Sequence, residues 1–120
     1  MSARRLMVAL AVVATVVGAG ASSVLGARGQ VQTTTVRVSA LDTLRFTLTR
    51  KSAPHGTVKF IVTNKGAITH DFWIAGKKTP KLGKGKSATL IVTLKKGKFP
   101  YKCTVDGHAA AGMKGTFTAT

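Results

Sequence analysis

Beyond residue 32 the chain alternates between short apolar segments and polar turns. At 44–49 (LRFTLT) every second residue is apolar, and 57–63 (TVKFIVT) has nearly the same pattern. Successive side chains of a β-strand point to opposite faces of a sheet, so this spacing predicts strands with one buried face and one solvated, often basic, face. No helical period is sustained in this part of the sequence.

Seven segments are rich in Val, Ile, Thr and aromatic residues, the types that are enriched in strands. These segments lie at 34–39, 44–49, 57–63, 71–75, 88–94, 100–105 and 115–120. Turn-forming sequences separate them, at 54–56 (PHG), 64–66 (NKG), 82–86 (LGKGK) and 96–98 (KGK). Short strands divided in this way predict an all-β fold, a β-sandwich, with the polar stretch 77–86 passing between its two sheets.

The N-terminal segment has the features of an export signal. A short cationic start (MSARR) precedes 6–25, which has no charged residue and is dominated by Val, Ala and Leu. The small residues at 19–21 (AGA) predict a cleavage site. The uncharged stretch between Arg5 and Arg28 is also long enough to span a bilayer, so an uncleaved anchor is the alternative.

The chain is long enough for one domain with a single core. We expect 1–21 to be a signal peptide or an uncleaved anchor, 22–32 a linker and 33–120 the folded domain. The expected location is the periplasm or the extracytoplasmic face of the cell envelope, with a membrane contact only through an uncleaved leader.

The charge balance is strongly basic. The chain has 19 Lys and Arg residues against 3 Asp and Glu, a formal net charge of +16. The positive charges are spread from Arg37 to Lys114, so charge alone does not choose between nucleic acid, an anionic envelope polymer and an acidic protein. The export signal and the lack of an aromatic and basic RNA-binding motif disfavour nucleic acid.

A single cysteine in an exported chain needs an explanation. Oxidising compartments favour paired cysteines, so Cys103 forms a dimer, remains a buried thiol or binds a ligand. Four residues separate Cys103 from His108, and four more separate His108 from Met113. Thiolate, thioether and imidazole together suit copper, and a His2Cys plane with a weak axial Met is the arrangement of blue-copper sites. His70, before the aromatic strand at 71–75, is the candidate second histidine.

One loop must wrap three of these ligands around one ion. Gly107 and Gly112 allow it to bend tightly, because glycine tolerates positive φ. His70 closes the cage if its strand lies beside the strand that ends at Cys103. His55, in a turn and without a fitting partner, is expected to be a surface histidine.

These stretches resemble the cupredoxin family, the group of plastocyanin, azurin, pseudoazurin and rusticyanin, over about residues 33–120. The resembling pieces are GTVKF at 56–60, THDF at 69–72, GKSATL at 85–90 and the terminal YKC through GH to GMKG at 101–115. The resemblance implies a Greek-key β-sandwich of about seven to eight strands that binds one copper ion (Cu+/Cu2+). It implies His70, Cys103 and His108 as equatorial ligands and Met113 as the axial ligand.

Asp71 stands where many members of the family have Asn. We expect its carboxylate to brace the backbone near Thr104 and its charge to lower the reduction potential.

The resemblance also implies a function, that of an electron carrier and not an enzyme. The chain would shuttle one electron outside the cytoplasmic membrane as a monomer, meeting an acidic redox partner of the cytochrome or oxidase type. The small residues at 109–112 would form a flat docking patch beside His108. The alternative is an exported protein that stores or delivers copper. A multicopper oxidase or nitrite reductase is disfavoured, since the sequence lacks His-x-His pairs and is too short.

Overall fold

The computed structural model describes residues 32–120, in which nine strands form. The predicted signal peptide or anchor at 1–21 lies outside the described residues, as does the linker apart from Gln32. The strands are β1 Thr33–Leu41, β2 Arg45–Leu48, β3 Ser52–Ala53, β4 Gly56–Asn64, β5 Trp73–Ile74, β6 Lys77–Lys78, β7 Ser87–Leu94, β8 Gly97–Lys102 and β9 Lys114–Ala119. In the described part of the chain, no helix has the length and apolar character needed to cross a membrane.

Two sheets form the sandwich. The first sheet has the strand order β2-β1-β4-β7 and the second has the order β3-β9-β8-β5-β6. Strands β1 and β4 pair in parallel, as do β3 and β9, while the other pairs are antiparallel. Parallel neighbours cannot be joined by a hairpin, so the chain crosses between the sheets. The predicted all-β sandwich of Greek-key type is confirmed.

The core lies between the two sheets and is rich in aromatic rings. Phe60, at the centre of β4, lies 5.3 Å from Phe72 and 5.3 Å from Phe117, measured between ring centroids. Phe46 meets Phe72 edge to face at 5.2 Å. Phe60, Phe72 and Phe117 are fully buried, and replacing such a ring by Ala costs about 3–5 kcal/mol of unfolding free energy. This packing provides a rigid base beneath the candidate ligands.

All seven predicted strand segments contain strands, but two details differ. The segment at 71–75 is regular only at Trp73–Ile74, because side chains take up the preceding amides. The Asp71 N–H donates to Cys103 Sγ and the Phe72 N–H donates to Thr79 Oγ1. The predicted turn at 96–98 is wrong in part, since β8 begins at Gly97 and Lys98 pairs with Thr118.

The polar stretch 77–86 does pass between the sheets. It begins with β6 in the second sheet and ends where β7 opens in the first. On the way Leu82 forms an isolated bridge with His70, in which each backbone N–H donates to the other residue's carbonyl at 3.1 and 2.7 Å. The stretch thus holds the backbone of a candidate ligand.

Candidate metal centre

Cys103 follows directly after β8, at one end of the second sheet. Because β5 pairs antiparallel with β8, with Trp73 opposite Lys102, the residues before β5 lie beside the residues after β8. This confirms the expectation that the strand after His70 lies next to the strand that ends at Cys103. Two distant parts of the sequence therefore meet at one point.

The thiol of Cys103 is fully buried. Burial raises the pKa of Cys103, and this effect outweighs the backbone hydrogen bonds from Asp71 and Val105, which lower it. The metal-free protein therefore holds a neutral thiol near pH 7. Since the thiolate is the metal ligand, binding an ion must release this proton.

The loop from Cys103 to Met113 is closed by its own backbone. The Cys103 N–H donates to the Met113 carbonyl at 3.1 Å, and the Met113 N–H donates to the His108 carbonyl at 3.0 Å. Gly107 and Gly112 have φ values of +82° and +116°, as expected for a loop that turns tightly. The three candidate ligands of this loop are thus fixed relative to one another.

An arginine from another strand braces the end of the loop. The Arg45 guanidinium donates from Nη1 to the Ala111 carbonyl at 3.0 Å and to the Leu44 carbonyl at 2.9 Å. A Cβ at Gly112 would displace this guanidinium, and the φ of +116° independently favours glycine there. This contact joins residues 66 positions apart, so no local pattern in the sequence predicts it.

His70 is fully buried, and its two ring nitrogens differ in their surroundings. Nε2 lies 3.1 Å from Asp42 Oδ1, whereas Nδ1 is buried without a hydrogen-bond partner among the described residues. Leaving a buried polar atom unpaired costs about 1–3 kcal/mol, so such atoms in native proteins have a reason. A metal ligated by Nδ1 provides that reason.

Three donor atoms converge at this end of the sandwich. Ligand atoms of His70, Cys103 and His108 all lie within 4.8 Å of one another, and His108 Nδ1 is 3.5 Å from Cys103 Sγ. Two imidazoles and one thiolate at this separation fit copper. Met113 is fully buried in the same loop. His55 is exposed, with Nδ1 2.8 Å from the Thr120 carbonyl, and takes no part.

Asp42, in the turn between β1 and β2, is a further residue of the site and is not among those predicted from the sequence. Its carboxylate accepts hydrogen bonds from the Ala67 and Ile68 N–H groups at 2.7 and 3.1 Å, besides facing His70. These bonds, that of Ala67 first, hold the pKa of Asp42 below its usual value. A Cβ at Gly66 would overlap the carboxylate, so this glycine admits Asp42 to its place. The scarcity of acids, three in 120 residues, was the available signal.

Asp71 braces the loop from the opposite side, as the sequence analysis expected. Its Oδ1 accepts the Thr104 N–H at 2.6 Å, and its Oδ2 accepts the Thr104 hydroxyl. Lys81 Nζ lies 3.9 Å from Oδ2 and offsets part of the charge. Buried carboxylates need such partners, and here they tie the segment at His70 to the segment at Cys103.

A β-sandwich that joins a Cys and a His of one loop to a His of another strand defines a class of small copper proteins. The model of the family described as copper binding proteins, plastocyanin/azurin family, matches residues 20–120. The chain belongs to this family, the cupredoxins, and its His70, Cys103 and His108 are positioned to bind one copper ion.

Solved structures show the same fold. Auracyanin from the photosynthetic bacterium Roseiflexus castenholzii has a TM-score of 0.62 and 24% identity, over 77% of this chain and 99% of its own. Auracyanin A, a "blue" copper protein from Chloroflexus aurantiacus, has a TM-score of 0.62 and 17% identity, over 74% and 100%. Reduced rusticyanin has a TM-score of 0.64 and 21% identity, over 76% and 81%. No curated protein sequence matches the chain at a significant level.

Proposed function

We propose that the protein is a one-electron carrier that acts outside the cytoplasmic membrane, with copper held by His70, Cys103, His108 and Met113. Copper, when bound, supplies the Cu(I)/Cu(II) couple. The observation that carries this proposal is the cage itself, in which His70 comes from one part of the fold and the other donors from one closed loop. Donors fixed from two directions keep their positions when the ion changes charge, which lowers the reorganisation at each transfer.

Met113 completes the set as the weak axial ligand in this proposal. Its side chain is fully buried, and its backbone is bonded to both Cys103 and His108. A thioether is the soft, weak donor that occupies the axial position of blue-copper sites.

His108 is the proposed point of electron exchange. It is half-buried, whereas His70 is fully buried, so His108 is the histidine of the pair that retains contact with solvent. The residues that follow it, Ala109 to Gly112, are small and partly or fully exposed. Redox encounters are short-lived and use small interfaces, so a small flat patch is sufficient. The partner would be an acidic protein of the cytochrome or oxidase type, drawn by the basic charge.

Absorption spectroscopy of the Cu(II)-loaded protein tests the site. An intense visible thiolate-to-copper band is expected, and a weakly absorbing Cu(II) form would contradict the proposed ligand set. Electron self-exchange and the copper dissociation rate then test the role. Fast exchange with negligible copper loss supports a carrier, whereas slow exchange with ready copper loss would indicate storage or delivery.

Cell fractionation and the mass of the isolated protein test the location. A soluble envelope form that begins near Ser22 is expected if the leader is cleaved, and a membrane-bound form with the full mass if it is an anchor. Recovery from the cytoplasm would contradict the proposed export.

A further inference from the structure

A line of four residues crosses the outer face of the second sheet. Lys78 of β6 lies opposite Trp73 of β5, Trp73 lies opposite Lys102 of β8, and Lys102 lies opposite Lys114 of β9. The inward neighbours of these residues are buried, so all four belong to the solvent face. With strands about 4.8 Å apart, this lysine–tryptophan row extends over roughly 14 Å.

The charge of the row is not balanced by the protein. Lys102 and Lys114 are directly opposed, an arrangement in which like charges destabilise a sheet. None of the three lysines forms an ion pair within residues 32–120. The three acids of the whole chain are Asp42, Asp71 and Asp106, and each belongs to a segment at the copper ligands. The repulsion between Lys102 and Lys114 is therefore not offset by an ion pair among the described residues.

The centre of the row is aromatic, and a cleft opens beside it. Lys102 Nζ lies 5.2 Å from the centroid of the Trp73 ring, in cation–π geometry. Over the paired strands β8 and β9, a cleft of about 430 Å³ is lined by Pro100, Tyr101, Lys102, Lys114, Gly115 and Thr116. Two of the three lysines of the row thus line a recess large enough to accept side chains.

We propose that the lysine–tryptophan row is the docking surface for a carboxylate-rich segment of the protein's redox partner, an inference that rests on the proposed electron carriage. Charge complementarity selects the occupant, since the face offers three cations and no anion. A protein segment fits better than nucleic acid, because the Lys102 ammonium already covers one face of the ring on which a base would stack. Lys102 directly precedes Cys103 in the chain, so a partner docked here lies beside the copper site.

NMR titration of the Cu(I)-loaded protein with a ten-residue polyglutamate peptide tests this surface. The amide shifts should centre on Trp73, Lys78, Lys102 and Lys114. The triple variant Lys78→Gln, Lys102→Gln, Lys114→Gln should weaken binding about tenfold at low salt. A control with the same net charge, Arg37→Gln, Lys95→Gln, Lys96→Gln, should weaken it less than about threefold. Equal losses in the two variants, or shifts centred on 108–111, would overturn the proposal.

A single-stranded DNA oligonucleotide of equal charge is the competing probe. Peptide binding that is at least as tight as DNA binding supports an acidic protein partner. Tighter DNA binding, centred on the same four residues and lost in the row variant, would overturn the proposal in favour of nucleic acid.

Thermal unfolding separates a docking role from a structural one. The single variant Lys114→Gln removes the repulsion between Lys102 and Lys114 and keeps the contact of Lys102 with Trp73, so it should unfold at a higher temperature than the wild type at low salt, and the gain should disappear at high salt. A lower unfolding temperature would show that Lys114 serves the fold. The visible band and reversible redox behaviour are separate measurements that test the proposed electron carriage. If either is absent, the peptide titration still shows whether the row binds a carboxylate-rich segment.

Discussion

The two histidines of the copper site are held in opposite ways. His70 is fully buried, its backbone is bonded on both sides to Leu82, and its ring nitrogen meets Asp42. His108 is half-buried, and its position depends on turns within a loop. The position of His70 is set by the sandwich, and the position of His108 is set by the loop. The protein therefore combines a fully enclosed histidine with one that is partly exposed to solvent, and substitutions of the two should have different consequences.

The thiolate gives the largest expected effect. Cys103→Ser replaces the soft sulfur by a hydroxyl that does not form the same bond with copper, so the intense visible band should disappear. Absorption spectra of the Cu(II)-loaded variant check this. An unchanged spectrum would refute the assignment of Cys103. Circular dichroism serves as the control, because Ser is close in size to Cys and the fold should remain.

Replacing each histidine by Gly tests directly whether the two ligand positions differ in their access from solvent. Both variants should lose the band, but imidazole added to the solution should restore it only in His108→Gly. The hole at position 108 opens toward solvent, whereas the hole at position 70 is fully enclosed by the sandwich. Titration with imidazole, followed by absorption, measures the difference. Equal rescue of the two variants would show that the site is open from both sides.

The contrast between the loop at 103–113 and the sandwich around His70 also explains how much of the site could be predicted from the sequence. Cys103, His108 and Met113 lie within one short loop, so their spacing is visible in the sequence. The contact of Asp42 with His70 spans 28 residues and depends on where the turn after β1 places one carboxylate. No local pattern encodes that.

The fold shows the same division between local and distant information. Strands such as β4 and β7 were predictable because they are nine and eight residues long, which is enough for a strand-like composition and pattern to be recognised. Strands β3 and β6 have two residues each and form only because partners are already in place. The lysine–tryptophan row likewise depends on the register of four strands, which cannot be predicted from the sequence pattern.

Substitution of Asp42 tests how much copper binding by His70 depends on the carboxylate that contacts its ring. Asp42→Ala should lower copper affinity about tenfold, the range typical of partners that orient a ligating histidine. Asp42→Asn should fall between this variant and the wild type, because an amide oxygen can still accept a hydrogen bond. Competition with a chelator measures the affinities. Asp106→Asn, an exposed acid in the ligand loop, is the control and should change little.

The same carboxylate gives a pH dependence to the metal-free protein. Its pKa in the fold lies below the usual 3.8, chiefly through the Ala67 and Ile68 N–H groups. Stability from a lowered pKa is complete above the unfolded value and is lost as the pH falls through the folded value. The free energy of unfolding in urea should therefore fall below about pH 4 more steeply in the wild type than in Asp42→Asn. Parallel curves would show that the carboxylate adds nothing.

Met113 should give the smallest effect on binding, although it lies on the loop side with Cys103. Met113→Leu conserves volume in a fully buried position, so the unfolding free energy should change by less than about 1.5 kcal/mol. Because the proposed axial bond is weak, copper and the visible band should remain. Removing a donor and leaving an apolar side chain beside the ion destabilises the more highly charged Cu(II), so the reduction potential should rise, as voltammetry can show. An unchanged potential would mean that Met113 serves only the core. The loop would then supply two ligands, Cys103 and His108, and the third would come from His70.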